Sequence, residues 1–120
     1  MEILLMVGKV LAGLIFIDSG ISHFRFKDAN VAYARMKGLP APEFGVVLSG
    51  LILVIAPILF VLGVAEVYAL SVLAVFLFLT CIIFHRYWKE QDPNSKGLEK
   101  LAFYKNLSML GLILVIISVM

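Results

Sequence analysis

Cysteine is almost absent from this chain of 120 residues. The single Cys81 excludes an intramolecular disulfide and a Cys-x-x-Cys redox or metal pair. Charge is scarce as well, at 15% Asp, Glu, Lys and Arg, and the net balance is only +2. There is no Gly-rich phosphate loop, no Ser-His-Asp nucleophile pattern and no dinucleotide or flavin fingerprint. Basic residues interleaved with aromatics over a long patch, the footprint of a nucleic-acid binder, are also missing. No Lys or Arg precedes Lys9, and Ile21-Ser22-His23 is not a small-x-small cleavage site. The first apolar run therefore reads as a spanning segment and not as a cleaved signal peptide.

What is present is apolar surface. Hydrophobic residues make up 62% of the chain, and the mean hydropathy is +1.07. A soluble domain of this size could not cover that surface. Four runs are long enough to cross a bilayer: about residues 3–23, 43–64, 66–86 and 101–120. Twenty residues of helix reach about 30 Å, the thickness of a hydrocarbon core. Lipid offers no partner to open backbone groups, so these runs must be helices. The expectation is one all-α domain over residues 1–120, an integral membrane four-helix bundle.

The charges that exist are sorted. Nine of the ten Lys and Arg lie between Arg25 and Lys37 or between Arg86 and Lys105. With four spans, both basic loops fall on one side and both termini on the other. The positive-inside rule then puts the loops in the cytoplasm and the termini outside, in a multi-pass protein of the cell membrane. Lys9 would snorkel to the outer surface.

The first span carries the spacing Ala12, Phe16, Ser19, His23. It returns in the third as Ala74, Phe78, Cys81, His85. At about 100° per residue each set falls on one helical face. Weaker echoes continue beyond the histidines, in Phe26-Lys27-Asp28 against Trp88-Lys89-Glu90. This pattern predicts two helix–loop–helix halves in parallel orientation, related by an axis along the membrane normal. Gly13 and Gly20 join the first face, and Gly45, Ser49, Ala56 and Gly63 make a small-residue stripe in the second span. Small residues of this kind let helices approach closely in lipid. Pro57 sits mid-span, frees the Leu53 carbonyl and predicts a kink. Between the first two spans, Asp28 would cap a short helix from about Ala29 to Lys37, closed by Gly38. Phe24-Arg-Phe-Lys27 reads as an interfacial anchor, and Asp92-Pro-Asn-Ser95 as a turn.

If both repeated faces turn inward, Phe16 and Phe78 form an apolar floor below His23 and His85. Lys105 and Asn106, at the start of the fourth span, sit at the same depth. An apolar pocket with a few convergent polar groups is the usual form of a small-ligand site. Such a site would hold a carbonyl-bearing lipophile such as a quinone, with imidazoles to exchange protons. The plainer alternative is a pair of interfacial histidines binding carbonyls at helix ends, with Lys105 snorkelling and Asn106 serving as a helix-start amide. Two histidines and a lone cysteine fall short of a metal set, and nothing independent supports a haem. Asp18 could couple a small transporter to protons, but it is shallow and lies off the shared face. Cys81 reads as a small packing residue.

Taken together, Gly13-Leu-Ile-Phe16 with Ser19-Gly20 and His23-Phe24, Lys37-Gly-Leu-Pro-Ala-Pro42, Phe84-His85 with Trp88, and Lys105-Asn106-Leu107 with Gly111 resemble the DoxX family of small membrane proteins. The resemblance spans nearly the whole chain. It implies a four-helix integral membrane fold. The family is named for a subunit of a thiosulfate:quinone oxidoreductase, and several members are linked to thiol or sulfur redox systems. The implied role is a membrane subunit or accessory factor of such a system, with a quinone as the lipophilic ligand and a soluble redox protein as the partner. The other readings are a small proton-coupled transporter and a non-catalytic assembly or scaffold protein. The oligomeric state is not legible.

Overall fold

The structure, a computed structural model, describes residues 2–120. These residues form five α-helices and a short 3-10 turn: α1 (Glu2–Arg25), α2 (Lys27–Met36), α3 (Pro42–Leu62), α4 (Glu66–Ile83), the turn Tyr87–Lys89, and α5 (Pro93–Ser118). Among the described residues, four segments are long and apolar enough to cross a membrane: Glu2–Arg25, Pro42–Leu62, Glu66–Lys89 and Pro93–Ser118. The protein is thus an all-α membrane protein. Its contacts divide it into two compact units, Met1–Val72 and Leu73–Met120, with the boundary inside α4.

The first unit is built on α1 against α3. The only buried residues of α1 are Gly13 and Gly20. A Cβ on Gly20 would stand 2.7 Å from Val54 Cγ2, 2.9 Å from the Gly50 carbonyl oxygen and 3.0 Å from Leu53 Cβ. A Cβ on Gly50 would stand 2.9 Å from the Phe24 ring and 3.0 Å from His23 Cβ. The missing side chains are therefore what lets two helix backbones meet, the usual device where lipid removes any hydrophobic drive between helices. Gly13 faces Pro57 and Gly20 faces Gly50, so the two helices run antiparallel. Of the small stripe expected on α3, Ala56 is buried and Gly45 and Ser49 are half-buried. Gly63 leaves the helix instead. It is the left-handed C-cap, with φ 74°, and Val64 N–H closes the end on the Leu59 carbonyl at 2.9 Å. Pro57 is buried within α3, which continues through it.

Three local expectations change. Asp28 does not cap α2: the helix starts earlier, at Lys27, and Phe26 is its N-cap without a side-chain bond. The reason is continuity with α1, because Phe26 N–H still reaches the Ser22 carbonyl at 2.9 Å and Asn30 Nδ2 reaches the same carbonyl at 3.0 Å. Asp28 is left in the first turn, where a carboxylate suits the helix dipole. Gly38 does close α2, at φ 85°.

The second change is at Lys9, which does not simply snorkel. Its ammonium pairs with the Glu66 carboxylate and lies 4.9 Å from the Phe60 ring centre. The two side chains are only 14% and 25% exposed. In a low-dielectric setting a carboxylate within reach is a better partner than a stretched path to water.

The third concerns the fourth span. The helix opens eight residues before the apolar run, at Pro93. Asp92 is its N-cap, accepting from Ser95 N–H at 3.2 Å and Ser95 Oγ at 3.1 Å. The Asp-Pro-Asn-Ser stretch is thus a capped helix start with proline in the first turn, not a free-standing turn.

Candidate functional site

In the first unit, His23 lies within the last turn of α1. Its Nδ1 is 2.7 Å from the carbonyl oxygen of Ser19, one turn back on the same helix. A carbonyl can only accept, so Nδ1 carries the proton and donates. Neutral His23 keeps its free lone pair on Nε2. This is the helix-end arrangement that the plainer reading of the histidines describes. Phe16 and Ser19 are half-buried, while Ala12 and Asp18 are exposed on α1.

In the second unit, the sequence register does not carry through to the second histidine. α4 ends at Ile83, and His85 lies two residues beyond it. Both Phe84 N–H and His85 N–H turn back to the Thr80 carbonyl, at 2.9 and 3.1 Å. Released from the helix, His85 pairs with another element: Nδ1 is 3.0 Å from Oε2 of Glu99 on α5. The two side chains are 19% and 16% exposed. The carboxylate again accepts, so the tautomer is the same as in His23. The partner differs: here it is a carboxylate on another helix, where His23 has a carbonyl of its own helix.

Two further contacts tie α4 to α5. Asn106 Nδ2 donates to Thr80 Oγ1 at 3.2 Å, while Thr80 Oγ1 donates to the Leu77 carbonyl at 2.8 Å. Cys81 Sγ lies 3.6 Å from the carbonyl oxygen of Phe103 as a weak donor. Glu99 and Asn106 are seven residues apart, about two helical turns, and so lie on one polar edge of α5. Beside it stand Tyr87, Trp88, Phe103 and Tyr104. Tyr87 and Trp88 meet Phe103 edge-to-face at centroid distances of 5.5 and 5.6 Å. Lys100 lies 5.7 Å from the Tyr87 ring.

The residues singled out from sequence therefore divide. Phe16 and His23 belong to the first unit; Phe78, His85, Lys105 and Asn106 belong to the second. Within the second unit His85 and Asn106 both join α4 to α5, whereas Lys105 is exposed and Phe78 is 52% exposed. Glu99 and Thr80 were not found by sequence reasoning, although they are the partners of His85 and Asn106. Spacing within one helix reveals its own face, but Glu99 comes from a different helix and looks like any other charge in a polar segment. Among the described residues, no three His, Cys, Asp or Glu side chains converge as a metal-binding group.

The geometry of α1 and α3, with glycines at their crossing and histidine at the end of the first span, belongs to the part of the chain that relatives share. The DoxX family model matches residues 4–86. The match includes the pieces from Gly13 to His85 and stops at Arg86, so Trp88, Lys105-Asn106-Leu107 and Gly111 lie outside it. No curated protein and no solved structure matches the chain significantly. With more than half of its length matched, and with the all-helical spanning architecture that the resemblance implies, this chain is a member of the DoxX family.

Proposed function

We propose that the protein is a membrane subunit or accessory factor of a quinone- or thiol/sulfur-linked redox system. The single observation that supports this most is the His85–Glu99 pair. A carboxylate behind Nδ1 fixes the tautomer and leaves the lone pair on Nε2 to accept a proton. A quinol losing two electrons must also lose two protons, and an imidazole backed by a carboxylate can take one of them. The same imidazole, once charged, can donate to the carbonyl of the oxidised quinone. Asn106 and the neighbouring rings supply the amide and apolar surface that such a headgroup needs. The electrons would pass to a redox centre on a soluble or peripheral partner protein. In this reading Phe78 and Lys105 of the second unit line the route of the lipophile, and the basic segments 25–37 and 86–105 lie in the cytoplasm, with both termini outside.

The test is the lipophilic content of the gently purified protein. A quinone should co-purify, and Glu99→Gln or His85→Ala should reduce its retention by at least about tenfold while helicity is unchanged. Equal quinone content in these variants, or none in the unmodified protein after reconstitution with quinone, would remove the redox reading. The orientation has its own measurement: alkaline phosphatase fused after Met120 should be active, and green fluorescent protein at the same place dark.

A further inference from the structure

A different surface, in the first unit, is explained neither by the helix crossing nor by a redox ligand. It comprises the end of α1 and the whole of α2. Between Arg25 and Lys37 the chain carries four cations, Arg25, Lys27, Arg35 and Lys37, against one carboxylate, Asp28. Arg25, Lys27 and Arg35 are exposed. A topogenic signal needs only the charge count. It does not require what accompanies the charges here.

α2 packs on α3 and buries Val31 and Ala34. Its opposite side, at about 100° per residue, is Ala29, Ala32 and Met36, all exposed. Met36 is 72% exposed and Phe26 54%. The outward side of α2 is thus apolar and small, with Arg35 and Lys37 along its edges. The Arg25 guanidinium lies 5.3 Å from the Phe26 ring, and the Lys37 ammonium 5.4 Å from the Tyr33 ring. An open cleft of about 380 Å³, lined by Phe24 to Ala29, sits at the corner where α1 passes into α2. It is shallow and has both polar and apolar walls, which suits a headgroup better than an enclosed ligand.

Because α1 is a span and α2 follows its last turn directly, this surface stands where hydrocarbon gives way to headgroups. Apolar side chains can enter the acyl boundary while the cations beside them meet phosphates. We infer that the α1–α2 corner and the outward side of α2 form a docking surface for anionic phospholipid headgroups. The charge complementarity is specific in sign: a zwitterionic headgroup gains little from four cations, whereas an anionic one gains from each. The inference does not depend on the redox reading, which concerns residues of the other unit.

The test uses the full-length protein in neutral detergent, with phosphatidylglycerol or phosphatidylcholine titrated into the micelles. Phosphatidylglycerol should raise the thermal midpoint and phosphatidylcholine should not. Apparent affinity should fall about fivefold for each cation removed in Arg25→Gln, Lys27→Gln, Arg35→Gln and Lys37→Gln. Phosphatidylglycerol with a photoreactive headgroup should cross-link to residues 24–37 in the unmodified protein, a readout that stands even if the fourfold variant fails to fold. Unchanged phosphatidylglycerol affinity in a folded fourfold variant, cross-links confined to the rest of the chain, or an equal shift from inorganic phosphate would each overturn the assignment.

Discussion

The two units hold their helices together by opposite means. In the first, α1 meets α3 where glycine leaves room, and the contact is backbone against backbone at Gly20 and Gly50. In the second, α4 meets α5 through polar side chains: His85 to Glu99, Asn106 to Thr80, and Cys81 to the Phe103 carbonyl. Gly111, the glycine of α5's apolar run, has nothing near its missing Cβ. Lipid tails are as apolar as leucine, so helices there gain by close van der Waals contact or by hydrogen bonds that lipid cannot replace. One chain uses each solution in a different place. The histidines follow the same division. His23 satisfies a carbonyl of its own helix, whereas His85 leaves its helix and takes a carboxylate from another. A residue repeated at one spacing has thus been given a local structural task in one unit and a charged partner in the other.

The sharpest way to break this contrast is to put a side chain into the glycine crossing. Gly20→Val should destabilise the protein by about 3 kcal/mol, because even the Cβ would overlap Val54, Leu53 and a backbone oxygen. Gly111→Ala should be neutral or slightly stabilising, since alanine is the better helix former and the space is open. Reversible unfolding in mixed micelles measures both. Equal effects of the two changes would mean that the crossing is not held by its glycines.

Next in size is the Lys9–Glu66 ion pair of the first unit. Lys9→Met should cost about 2 kcal/mol by leaving Glu66 partly buried without its cation. The double variant Lys9→Met, Glu66→Met should recover most of that loss, because both desolvation costs disappear together. A double variant as unstable as the sum of the singles would show that the charges matter separately.

The polar edge of α5 should matter less for stability. Asn106→Leu should cost about 1 kcal/mol, within the range found for interhelical hydrogen bonds in membranes. Glu99→Gln should cost a similar amount and leave helicity intact, so that any larger loss of ligand retention reports on the site and not on the fold. If Asn106→Leu stabilised the second unit, the hydrogen-bonded contact would be secondary to shape.

The smallest effect is expected at the left-handed Ala65, φ 49°, in the link before α4. Ala65→Gly removes a backbone conformation that disfavours a Cβ and should stabilise by up to about 1 kcal/mol. The same unfolding assay detects it as a rise in midpoint; a fall would mean that the unfolded-state entropy of glycine outweighs the relieved strain.

Much of this molecule was written in local pattern. The four spans, the closure of α2 at Gly38 and the small residues of α1 all follow from hydropathy and glycine chemistry along short stretches. Those features depend on neighbours in sequence, so a single chain reveals them. The helix start at Asp92 was readable in principle from an N-cap residue followed by proline, but the lack of apolar residues over the next turns concealed it. The partner of His85 was not readable. Nothing between His85 and Glu99 carries a period that joins them, since one has left α4 and the other lies on the polar first turns of α5. Lys9 was equally opaque: its position predicts a stretched path to water, and only the antiparallel course of α1 and α3, with the turn at Gly63, brings Glu66 within reach. The sequence by itself determined that the chain is helical, membrane-spanning and basic in two loops, because lipid imposes those properties residue by residue. Which histidine meets a charge, and which lysine is paired, was decided by tertiary structure, because electrostatic partners are chosen by distance in space and not by distance along the chain.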